Sequence, residues 1–153
     1  MSSSPPLDVA AAHKYFAAHC FNAAWDLIDK PERTAEDDRM MVALSQASIY
    51  HWLNRPDCEP RRLSVGYWQA SRIQALLGNA VEATHHAEVC LQYSVGQDPF
   101  LLGYAYEAMA RAARTAGNPR KAAEQLALAK EQVALVSNNE DRELLQKDLE
   151  DLE

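Results

Sequence analysis

The chain has 153 residues, 48% of them hydrophobic, and a formal net charge of −7. That length suits one domain with a sizeable core, and the acidic balance argues against general nucleic-acid binding, because neutralising phosphates takes concentrated Lys and Arg. Three scattered cysteines (Cys20, Cys58, Cys90) without C-x-x-C spacing predict free thiols in a reducing compartment. The start Met1-Ser2-Ser3-Ser4-Pro5-Pro6 lacks the basic and apolar regions of a secretory signal, and no apolar run is long enough to cross a bilayer, so the expectation is a cytoplasmic protein without membrane association.

In chain order, residues 1–6 are expected to be disordered and residues 7–153 to form one all-α domain of seven helices. The predicted helices run over 7–29, 35–54, 60–77, 80–95, 99–116, 119–136 and 139–152. Helical spacing, not alternation, sets the apolar stripes. The first helix carries Val9, Phe16, Cys20, Ala24 and Leu27, widened by Phe21 and Ile28. The second carries Met41, Leu44, Ser48 and Trp52 with Met40 and Ala47 beside them, and the sixth carries Ala122, Leu126, Ala129 and Val133.

The punctuation is clear. Asp98-Pro99 and Asn118-Pro119 each offer a capping side chain followed by Pro at the first helical position. Thr34 with Asp37, Asn79 with Glu82, and Ser137 with Glu140 have capping-box spacing or a near variant. Gly78 and Gly117 fit helix C-termini, where a left-handed backbone is needed. The short loops at these glycines make the third helix antiparallel to the fourth and the fifth antiparallel to the sixth. Charge is uneven along this frame: residues 140–153 hold seven acids against two bases, whereas residues 61–121 hold seven bases against four acids.

Gly78-Asn79 is followed by Ala83, and Gly117-Asn118 by Ala122, the same pattern 39 positions later. Self-similarity at a period of this size marks stacked helical hairpins. The first copy reads Tyr67, Ala70, Ser71, Gly78, Asn79, Ala83, Cys90, and the second reads Tyr106, Met109, Ala110, Gly117, Asn118, Ala122, Leu126, Ala129. This doubled hairpin resembles the tetratricopeptide repeat. It departs from that family in its longer period, in Gln74 and Ala113 at the second aromatic position, in Ala87 at a bulky position, and in the displaced Pro99. The segments Tyr50-His51-Trp52, Tyr67-Trp68-Gln69 and Asp141-Arg142-Glu143-Leu144-Leu145 are also similar to small bacterial proteins of this repeat class, a likeness that brings no activity with it.

The resemblance implies antiparallel hairpins stacked as an α-α superhelix, with the clearest repeats at 64–97 and 103–136 and a capping helix at 139–152. It further implies a non-enzymatic module that holds a protein or peptide in a groove lined by the first helix of each hairpin. Carried over by register, the groove residues are Trp68 and Arg72 on the third helix and Tyr104, Glu107, Arg111 and Arg114 on the fifth. The arginines would form a fork for a carboxylate or an acidic segment, and Trp68 and Tyr104 would add rigid aromatic area. The alternative is that Glu107 and solvent satisfy those arginines.

No nucleophile turn, Gly-rich phosphate loop, H-E-x-x-H or C-x-x-C is present, so no cofactor is expected. A second reading gathers His13 of the first helix, His51 of the second, and His86 and Cys90 of the fourth into a metal-binding or enzymatic bundle. A third is self-association through Phe16, Phe21 or Trp25 of the first helix, giving a homodimer.

Overall fold

The computed structural model describes residues 6–153, and the expected disorder of residues 1–5 lies outside them. The described residues contain seven helices and no strand: α1 (Val9–Ile28), α2 (Ala35–Leu53), α3 (Pro60–Leu76), α4 (Ala80–Ser94), α5 (Pro99–Thr115), α6 (Pro119–Val133) and α7 (Asn139–Glu150). Successive helices pack as antiparallel neighbours, α3 also packs along α5, and α7 lies against both α5 and α6. This arrangement is consistent with a helical repeat.

Local chemistry explains the boundaries. Asp98 accepts from the Leu101 backbone N–H with Pro99 at the first helical position, and Asn118 accepts from Lys121 N–H ahead of Pro119. Thr34 and Asp37 form a reciprocal capping box on α2. At the end of α3, Asn79 N–H reaches the Gln74 carbonyl at 2.8 Å and Gly78 N–H reaches the Ala75 carbonyl at 3.0 Å. At the end of α5, Asn118 N–H reaches Ala113 at 2.9 Å and Gly117 N–H reaches Arg114 at 3.0 Å. Both are Schellman turns, and Gly78 and Gly117 take φ of 77° and 72°.

Two expected caps differ. Asn79 makes no side-chain cap, because its amide donates to Gln74 Oε1 at 2.9 Å and thereby braces the Schellman turn. The cap of α7 is Asn138, not Ser137, and it accepts from Asp141 N–H. The stripes also shift. Ala17, Cys20 and Ala24 are the buried residues of α1, whereas Val9 and Phe16 point outward. On α2, Met41, Ser45, Ser48 and Ile49 face inward, and Met40 is half exposed.

Small residues let the helices approach closely. Ala83, Ala87, Ala108, Met109 and Ala112 form one core cluster beneath Trp68. Ala24, Met41 and Ile73 form a second, and Ala129, Val136, Leu145 and Leu149 a third where α7 seats. Buried hydroxyls find backbone carbonyls across the contacts: Ser71 Oγ donates to Ala83 O at 2.8 Å and Ser48 Oγ to Ala17 O at 2.7 Å. Gln69 Nε2 donates to Phe21 O at 3.0 Å, tying α3 to α1.

Candidate functional site: a two-part trough

Because each hairpin reverses the chain, α1, α3 and α5 run in the same direction. With α7 they line two adjoining hollows. The first, about 320 Å³, is walled by Trp25 of α1, Val65 and Trp68 of α3, Phe100, Leu101 and Tyr104 of α5, and Leu144 and Asp148 of α7. The second, about 540 Å³, is walled by Ile28 and Asp29 at the end of α1, Arg72 and Leu76 of α3, Arg111, Arg114 and Thr115 of α5, and Leu152 just past α7. Residues 65, 68, 72 and 76 recur at helical spacing, as do 104, 111 and 115, so both hollows open on one face. The first is almost wholly apolar and the second carries three guanidinium groups.

Between them lies a buried polar node. Glu107 is fully buried, and Trp68 Nε1 donates to its Oε2 at 2.7 Å. Arg111 Nε donates to its Oε1 at 2.8 Å, and the Arg72 guanidinium stands 3.8 Å from the same oxygen. Arg111 Nη2 also lies 2.7 Å from that oxygen, but its hydrogens are not aligned with it. An ion contact therefore exists there without a second hydrogen bond, leaving a buried donor unmatched. One carboxylate faces two arginines, so the node keeps an excess positive charge. Arg72 also lies over the Trp68 ring, 5.7 Å from its centre.

The apolar hollow is an aromatic assembly. Trp68 contacts Trp25 at 5.5 Å and Tyr104 at 5.2 Å between ring centres, and Phe100 meets Tyr104 edge-on at 5.0 Å. The Tyr104 hydroxyl donates to Asp148 Oδ2 at 2.6 Å. Burial, and then that carboxylate, hold the Tyr104 proton far above the usual phenol range, so Tyr104 serves only as a donor. Arg114 Nη1 donates to the Asp151 carbonyl at 2.8 Å, at the C-terminal end of α7.

All six residues expected from register lie on this face. Trp68, Arg72, Glu107 and Arg111 form the central node. Tyr104 borders the apolar hollow and Arg114 the cationic one, both tied to α7. The arginines do not form a bare fork, since Glu107 holds two of them and α7 holds the third. Sequence reasoning missed Val65, Trp25, Phe100, Leu144 and Asp148. Val65 was within reach, because it lies 39 positions before Tyr104 and so occupies the matching place in the earlier hairpin.

The four residues of the metal reading do not converge. His13 Nδ1 and His51 Nδ1 are 2.8 Å apart between α1 and α2. His86 lies beside Tyr67 and within 3.5 Å of Gln46. Cys90 is sealed beside Ser64 and Ser94, where burial pushes its thiol up to about 11. Among the described residues, no three His, Cys, Asp or Glu side chains are placed to hold a metal ion. No helix among them is long and apolar enough to cross a membrane.

Comparison with known proteins gives no relative: no family profile, no curated protein and no solved structure matches this chain.

Proposed function

We propose that this chain is a non-enzymatic, tetratricopeptide-like superhelix that binds an extended segment of a partner protein along the trough. The observation that carries this reading is the pairing of an apolar hollow and an arginine-lined hollow on one face, with the Trp68–Glu107 bond between them. Support for the repeat comes from the matched Schellman turns and from the stacking of α3 on α5, with Arg72 and Arg111 at equivalent positions.

The preferred segment carries a bulky apolar side chain and a carboxylate. The apolar group displaces water from the pocket of Val65, Phe100 and Leu144. The carboxylate meets Arg72, Arg111 and Arg114, whose charge Glu107 only partly cancels. From Val65 to Arg72 the helix rises about 10 Å, which an extended peptide spans in about three residues.

Isothermal titration with peptides that place Leu or Phe and Glu at spacings of one to five residues tests this. The optimum is expected near three, with Arg72→Ala and Val65→Glu each weakening binding about tenfold or more. Equal affinity of wild type and both variants for every bound peptide would exclude the trough.

A further inference from the structure

The trough uses the inner side of α1, and its outer side is a separate surface. Tyr15, Phe16 and Tyr50 are 59%, 41% and 58% exposed. They join His13, His19 and His51 in one continuous aromatic cluster. Tyr15 stacks on His19 at 5.1 Å and meets Phe16 at 5.0 Å, Phe16 lies 5.4 Å from His51, and His13 lies 5.9 Å from Tyr50. Four of these rings (Tyr15, Phe16, His19 and Tyr50) are exposed over the half-buried His13–His51 pair, and exposed rings gathered in this way mark a contact surface.

We propose that this α1–α2 face is a self-association surface on which a second copy of the chain docks about a two-fold axis. Charge argues for the identity of the occupant. Around a two-fold axis a patch meets itself, so like charges on it meet like charges. The chain carries −7 overall, yet α1 holds no carboxylate from Val9 to Trp25 and only Lys14 as a fixed base. The acids of α2 sit in its first turn (Glu36, Asp37, Asp38), at the opposite end from Tyr50. The far end of the molecule is the reverse case, since α7 and its tail carry seven acids. A cluster without net negative charge on an acidic protein suits its own copy.

The half of the hairpin that bears the rings, residues 9–20 of α1 and 45–53 of α2, presents a footprint of roughly 18 by 20 Å. That is about half of the ~800 Å² per partner of a standard interface and fits a weak, micromolar association. Exposed Ala11 lies one helical turn from Tyr15 and lets a facing helix approach closely. Tyr15 is the anchor, because buried tyrosines at interface centres carry much of the binding. The dimer leaves Trp25 on the inner side of α1, so both troughs stay available.

Sedimentation equilibrium of the full chain from about 1 to 100 μM decides this, a range that brackets micromolar self-association. The expected mass at the upper end is twice 17.1 kDa. Tyr15→Glu and, separately, Tyr50→Glu are expected to restore the monomer, because each places two carboxylates near the axis. Val81→Glu, on α4 at 81% exposure, should leave the dimer intact. Thermal unfolding checks that each variant is folded; should a glutamate variant fail, Tyr15→Ala is expected to weaken association at least tenfold. A wild type that stays at 17.1 kDa, a mass that climbs past the dimer without a plateau, or equal loss with Val81→Glu would each overturn the proposal.

Discussion

Trp68 and Glu107 are separated by 39 positions and joined by a 2.7 Å hydrogen bond. That separation equals the distance between the two Gly-Asn turns, so the bond links the same register position in successive hairpins. Arg72 and Arg111, the next equivalent pair, flank the same carboxylate. A buried carboxylate is tolerated only when its charge is met, and here both hairpins meet it. Glu107→Ala leaves two guanidinium groups about a quarter exposed and without their anion. Urea unfolding is expected to show a loss of about 2–4 kcal/mol. Trp68→Phe keeps an aromatic ring but removes the donor and part of the indole packing, for about 2–3 kcal/mol. The two effects should be non-additive in a double-mutant cycle.

The Schellman turns allow a cleaner measurement. Gly78 and Gly117 have φ of 77° and 72°, and a Cβ at either position meets nothing within 4 Å. Substitution by Ala therefore carries no steric clash, only the left-handed backbone strain of about 1–2 kcal/mol. Gly78→Ala and Gly117→Ala are each expected to lower Tm by about 3–5 °C, and the double variant by their sum. A large difference between the two would mean that the turns are not mechanically equivalent.

These turns also show why so much of the fold was legible. Pro at helix starts, Gly at helix ends and a repeated spacing are local signals, and every predicted helix lies within three residues of the observed one. What a helix buries is settled by its neighbours. Phe16 reads as core on a helical wheel, but α2 meets α1 through Ala17 and Ser48, which turns Phe16 outward. Asn79 and Asn118 follow the same glycine, yet only Asn118 caps, because Gln74 is present to take the Asn79 amide where the later hairpin has Ala113. Register placed the six expected residues on one face of the molecule. The α7 wall lay outside the repeat, so Leu144 and Asp148 had no register to betray them.

Gly103 and Leu145 explain how α7 is seated. A Cβ at Gly103 would come within 2.5 Å of Leu145 Cδ2, and Leu145 is fully buried. The missing side chain is thus the socket for α7. Leu145→Ala is expected to destabilise by about 2–4 kcal/mol. Gly103→Val fills the socket and is expected to expel the helix. Limited trypsin digestion reads the difference directly, since both variants should expose Arg142 and Lys147 to cleavage well before global unfolding. Cleavage no faster than in wild type would mean that α7 is held chiefly by its polar ties, Tyr104 to Asp148 and Arg114 to Asp151.

Histidine makes stability depend on pH in the near-neutral range. Burial lowers the affinity of His51 for a proton, and the nearby His13 lowers it further. His86 is lowered by burial and then by His85, against a smaller opposing pull from Glu82. In the unfolded chain both titrate near the ordinary value of about 6.5. Below that pH the unfolded state binds more protons than the folded state, so stability falls with falling pH and levels off once the folded histidines are protonated too. Full stability is therefore expected above about pH 7, with a decline beginning near 6.5 and preceding any carboxylate effect. Asp37 and Asp57 act in the same direction at lower pH, each held below the ordinary carboxylate range first by its hydrogen bond to Lys30 or Arg55. Their contribution is lost only in stronger acid. Urea midpoints from pH 8 to 5 should show the histidine phase, and His51→Asn with His86→Gln should flatten it. A profile equally steep in that double variant would place the proton uptake elsewhere.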